Sequence, residues 1–172
     1  TFLGGTSEEK ANGIAVDAAG NAIIIGNTTS KDFPVSSNAL QAKYGGGEGS
    51  NYSQDVFLTR VNTTGTAFNF STYLGGGGPD EGNGIAVDSA GKLYLTGRIG
   101  GPETGLGPDF PLIPGSFGVQ DWQARNFGAF IAKLDPDAVG GTPDLAVAVQ
   151  PVGPITGTGT NSFGSGAYQV DL

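Results

Sequence analysis

Residues Thr1–Gly26 realign on Thr72–Gly97 at an offset of 71, with 13 of the 26 positions identical. The shared residues are Thr1, Leu3, Gly4 and Gly5 against Thr72, Leu74, Gly75 and Gly76, and then NGIAVD at Asn12–Asp17 against Asn83–Asp88. The correspondence continues downstream. Asp32-Phe33-Pro34 recurs as Asp109-Phe110-Pro111 at an offset of 77, after extra residues near Gly100–Gly107. Asp55–Asn62 recurs as Gly128–Asp135 at an offset of 73, which sets Phe57 opposite Phe130. A repeat of this length is one supersecondary unit that buries its apolar faces against a neighbour.

Each copy reads as about four short strands. These are GIAVD, then Ala22–Gly26 or Leu93–Gly97, then DVFLTRV or GAFIAKL, and finally AFNFSTYLGG or DLAVAVQ. Helix is disfavoured by 32 Gly and 10 Pro, which suit tight turns. The segments Asp17–Asn21 and Asp88–Lys92 are predicted hairpin turns, with Gly20 and Gly91 at positive φ and each Asp capping its own turn. Phe33, Phe57, Phe110 and Phe130 hold matching repeat positions and are assigned to the core.

TFLGG, STYLGGGGPDEGNGIAVDSAGKLYLTG, DFP and GAFIAKLDP together resemble the bacterial SBBP family, the seven-bladed beta-propeller repeat, over roughly residues 1–150. Ile23–Ile25 departs from the pattern where Tyr94 keeps an aromatic, and residues 100–107 are additional. The resemblance implies a propeller-type all-β architecture, common in secreted and cell-surface proteins, with no catalytic residues to transfer. The expected fold is all-β: two propeller-blade-like antiparallel sheet repeats at 1–70 and 71–150, then a strand-bearing tail at 151–172. A closed propeller uses 4–8 blades, so two leave sheet edges to be covered. Thr1-Phe2-Leu3 reads as the middle of a strand, so the chain is expected to be a processed protein or a fragment.

The tail opens with the Gly/Thr/Ser/Pro stretch PVGPITGTGTNSFGSG and ends in an alternating strand, Ala167-Tyr168-Gln169-Val170-Asp171-Leu172. This strand either closes its own sheet beside Thr1-Phe2-Leu3 or is donated to a neighbouring subunit.

The chain contains no Cys, Met or His, which removes disulfides, thiolate nucleophiles, thiolate metal ligands and imidazole bases. A net charge of −8 with only 8 Lys plus Arg argues against nucleic acid as a partner. No stretch reaches the ~20 apolar residues of a membrane span. Paired carboxylates at Glu8/Glu9, Asp80/Glu81 and Asp135/Asp137 do not form a D-x-D-x-D-G loop. No cofactor is therefore expected, Ca²⁺ being the one ion these groups would suit. Gly45–Gly47 and Gly75–Gly78 lack the Lys-Ser/Thr of a phosphate loop and read as turns. Four N-x-S/T sequons make Asn27, Asn51, Asn62 and Asn69 candidate glycosylation sites, Asn69 the least suited because it falls in a predicted strand. Trp122, Tyr44 and Tyr52 are candidates for stacking on sugars, against a plain core role. The expectation is a non-enzymatic extracellular structural subunit that self-assembles through β-strand pairing or donation, forming a homopolymer. The second reading is a binding module for surface glycans or another ligand.

Overall fold

The computed structural model describes residues 1–46, 53–100, 110, 127–137 and 146–151, with backbone alone at 127 and in 146–151. Two four-stranded antiparallel sheets are formed. The first runs in the order β1 (Glu9–Val16), β2 (Ala22–Thr28), β3 (Asp55–Val61) and β4 (Phe68–Leu74). The second repeats that order with β5 (Glu81–Val87), β6 (Leu93–Gly100), β7 (Phe127–Leu134) and β8 (Ala146–Pro151). The all-β expectation holds, and no helix is present among the described residues.

Both copies use the same local devices. Gly20 and Gly91 sit at φ 85° and 79°, and the Asp17 and Asp88 carboxylates accept backbone N–H groups from Ala19 and Asn21, and from Ala90 and Lys92. The inner strands share one bulge, between Ala11 and Gly13 in β1 and between Gly82 and Gly84 in β5. These strands extend further back than GIAVD because the residues ahead of the bulge still pair: Glu9 with Thr28, and Glu81 with Arg98. Gly26 and Gly97 are fixed by contact. A Cβ at Gly26 would lie 2.0 Å from the Lys10 carbonyl and 2.8 Å from the Phe57 ring; at Gly97 it would lie 1.9 Å from the Glu81 carbonyl and 2.5 Å from Phe130.

In each copy the DFP phenylalanine packs on the third-strand phenylalanine. Phe33 stacks on Phe57 at 4.8 Å, and Phe110 lies 5.0 Å from Phe130. Tyr73 locks the first pair, its hydroxyl accepting the Phe33 N–H and donating to the Ser30 carbonyl, both at 2.8 Å. The loop after β2 then runs along the outer edge of β4. The Ser36 N–H reaches the Ser71 carbonyl at 2.9 Å, and the Tyr73 N–H reaches the Gln41 carbonyl at 3.1 Å.

Two expectations need correction. Thr1-Phe2-Leu3 is not strand, although its counterpart Thr72-Tyr73-Leu74 ends β4 and pairs with β3. Thr1 Oγ1 instead donates to the Gly65 carbonyl and Leu3 packs on the Phe33–Phe57–Tyr73 cluster. The 70/71 boundary divides β4, whose seven residues all belong to the first sheet. The sequence repeat and the sheet are out of phase by a few residues.

Candidate functional site

The two sheets stack face to face around one shared apolar core. Ile23, Ile25, Val56, Leu58, Phe70 and Leu74 come from the first sheet; Leu93, Leu95, Phe130, Ala132 and Leu134 come from the second, with Ile85 and Val87 packed against them. Strand alternation puts each set on one side of its sheet. The side of the first sheet that faces the second is here its back; the side of the second that faces the first is its front.

The contact centres on the β5 bulge. A Cβ at Gly82 would come within 2.5 Å of Ile25 Cγ1 and 2.7 Å of Val56 Cγ1, so glycine is what allows the approach. Asn12, the bulge residue of β1, donates through Nδ2 to the Gly82 carbonyl at 2.9 Å and to Asn27 Oδ1 at 2.8 Å. At the rim Arg60 forms a two-pronged pair with Asp137, at 2.5 and 2.9 Å.

The corresponding surfaces at the two ends of the stack are open. On the front of the first sheet Ile14 and Val16 are 67% and 63% exposed, while their counterparts Ile85 and Val87 are packed in the core. On the back of the second sheet Tyr94 and Ile131 are 39% and 56% exposed, while their counterparts Ile23 and Leu58 are fully buried. Identical or similar side chains are thus packed against the core once and exposed once.

A second feature is a buried acidic pair where β3, β4 and β5 meet. Asp55 and Asp80 are both inaccessible to solvent. Asp55 Oδ2 accepts the Gly45 N–H at 2.7 Å, its Oδ1 has no hydrogen-bond partner among the described residues, and Asp80 Oδ2 accepts the Gly76 N–H at 2.6 Å. Burial pushes the Asp55 carboxyl up to about 7 and Asp80 well above the usual carboxylate range, the latter with a further contribution from Asp55. Asp55 escaped notice in the sequence because it opens an apolar strand; its signal is that Gly128 holds the matching position.

Four of the remaining carboxylates have local partners. Glu9 accepts the Thr28 and Ser30 hydroxyls, Glu81 lies by Gln54 and Arg98, Asp135 pairs with Lys92, and Asp137 with Arg60. Among the described residues no three His, Cys, Asp or Glu side chains gather as a metal site. Asn27 is corrected as an open glycosylation candidate: it is 7% exposed and its amide oxygen is held by Asn12. Asn62 is half-buried and organises the turn before β4, accepting the Thr66 N–H, whereas Asn69 is exposed on β4. Tyr44 meets Tyr73 edge-on at 5.9 Å and bonds the Ser53 carbonyl, a core role. Asn51, Tyr52, Trp122 and the tail strand Ala167–Leu172 lie outside the described residues. A shallow cleft between the N-terminal segment and the β3–β4 turn has no ionisable side chain in its lining, which includes Phe2, Pro34 and Phe68.

Four antiparallel strands per unit, stacked face to face and joined by an outer-to-inner crossover, are the geometry of adjoining propeller blades. Residues 69–102 match the family model of SBBP, the beta-propeller repeat. This segment is similar to the SBBP beta-propeller repeat. The match runs from β4 across the crossover into β6, so the SBBP repeat straddles two blades in the same out-of-phase manner as the internal repeat. It covers one repeat; the likeness of the first blade to the second rests on strand order, the shared bulge and the paired phenylalanines. No curated protein matches the chain. Among the described residues no helix is long and apolar enough to cross a membrane.

Proposed function

We propose that this propeller-type module is an extracellular structural subunit that assembles with further copies of itself. The observation that carries the reading is the duplicate use of the blade faces. Ile85 and Val87 pack inside the stack while Ile14 and Val16 are exposed, and Ile23 and Leu58 are buried while Tyr94 and Ile131 are exposed. Fully burying one such side chain is worth about 1.5–3 kcal/mol, so four of them give an assembly a substantial driving force. The loop bonded along β4 occupies the outer edge of the first sheet at Ser71 and Tyr73, which favours growth by stacking over strand addition there. An exported setting is supported by the family resemblance and by a sparsely charged chain, 14% Asp, Glu, Lys and Arg.

Light scattering and negative-stain microscopy across a concentration series test the reading. Species that grow with concentration are expected. A uniform 17.3 kDa particle at every concentration overturns it.

A further inference from the structure

The self-assembly reading leaves open which surface meets which, and the side-chain sizes at the β5 bulge bear on this. Inside the chain, Gly82 of the second blade sits against Ile25 and Val56 of the first, with no room for a Cβ. The repeat alignment replaces all three residues at the open faces. Ala11 stands for Gly82 on the front of the first blade; Thr96 and Ala129 stand for Ile25 and Val56 on the back of the second. A methyl group is gained on one face, and bulk is lost at two positions on the other. A front face carrying Ala11 would clash with a back face built from Ile and Val, but fits one built from Thr and Ala.

Resting on the reading above, we infer that the partner is a second copy of this chain set head to tail, with Ala11 of one copy seated on Thr96 and Ala129 of the other. Both substituted faces belong to this chain, which is what identifies the occupant. Ala11, Thr96 and Tyr94 are exposed and Ala129 is half-buried. The rest of the contact follows the internal one. Ile14 and Val16 take the places of Ile85 and Val87 unchanged, against Tyr94 and Ile131 in place of Ile23 and Leu58. Asn83, exposed on the β5 bulge, stands where Asn12 donates to the Gly82 carbonyl, and so reaches the Ala11 carbonyl of the next copy. The Arg60–Asp137 ion pair has no equivalent, because Lys133 and Thr64 hold those positions. The contact is heterologous: each copy uses a different face at each end, and the rotation per step decides between a ring and an open fibre.

The test uses the full chain. Thr96→Ile with Ala129→Val restores the side chains of the first blade and closes the seat. Association is expected to weaken roughly tenfold or more, the scale of overpacking. Adding Ala11→Gly reopens the seat and is expected to restore assembly. Circular dichroism checks that each variant is folded. Assembly unchanged in the double variant, or not restored in the triple, overturns the pairing while the self-assembly reading stands; a monomeric wild type overturns that reading itself. Should the double variant fail to fold, Ala11→Cys with Thr96→Cys replaces it. The chain has no cysteine of its own, so a disulfide ladder of whole-chain multiples supports the pairing and its absence overturns it.

Discussion

The buried acids predict that the blades are most stable under mildly acidic conditions. In the unfolded chain the Asp55 carboxyl titrates near 3.8; in the fold burial pushes it up to about 7. Between those values the folded state holds a proton that the unfolded state has released, so raising the pH favours unfolding. A gap of about three pH units at 1.36 kcal/mol each amounts to about 4 kcal/mol, fully lost above neutrality. Asp80 acts with the same sign. Acid works the other way on carboxylates held below their usual range. Asp32 accepts from Thr6, Asp88 from Lys92, and Asp135 pairs with Lys92, so their contribution is present at neutral pH and lost as the pH falls through their folded values. Stability should therefore peak at roughly pH 4, where the buried acids are protonated and the exposed carboxylates still ionised. Asp55→Asn removes the ionisation while keeping one acceptor for the Gly45 N–H. At pH 8 it should be more stable than wild type by roughly 3 kcal/mol, after about 1 kcal/mol is deducted for a weakened hydrogen bond. At pH 4.5 the two should agree within about 1 kcal/mol. Urea unfolding followed by circular dichroism at both pH values measures this. Parallel stability curves for the two proteins would refute the argument.

Gly26→Ala should prevent stable folding, since the new Cβ meets the Lys10 carbonyl at 2.0 Å, whereas Gly91→Ala, with φ 79° and nothing within 4 Å, should cost only about 1–2 kcal/mol in a denaturant titration. Phe33→Ala should lose about 3–5 kcal/mol by opening the stack on Phe57. Tyr73→Phe should lose about 1–3 kcal/mol, because the buried Phe33 N–H and Ser30 carbonyl lose their shared hydroxyl; thermal melts distinguish the pair. Peptide mapping of exported material should find Asn27 unmodified, with any glycan on Asn51, Asn62 or Asn69.

Much of this architecture was legible because the chain states it twice. The 71-residue offset, the Asp-led turns and the matched phenylalanines located the strands and their facing core. The offset could not tell Ile14 from Ile85: both stand in GIAVD, and only the presence of a blade on one side separates an exposed residue from a packed one. Thr1–Leu3 misled for the same reason, since its sequence is that of the β4 end but β3 lies beside only one of the two copies. Asp55 and Asp80 are 25 positions apart and meet through the crossover. Neither residue carries a local motif that announces burial. Asn27 read as a surface sequon because a sequon says nothing of the Asn12 amide that covers it.

The loop lying on β4 also bears on how the chain folds. Before Phe33 and Ser36 dock, the outer strand of the first sheet is an unpaired template with an apolar face, the kind of edge through which folding intermediates aggregate. The docking contacts span 32 to 43 positions in sequence, so they close late relative to the hairpins. Damage to Phe33 or Tyr73 would then appear first as a loss of soluble yield during folding, even in a chain whose mature form remains stable.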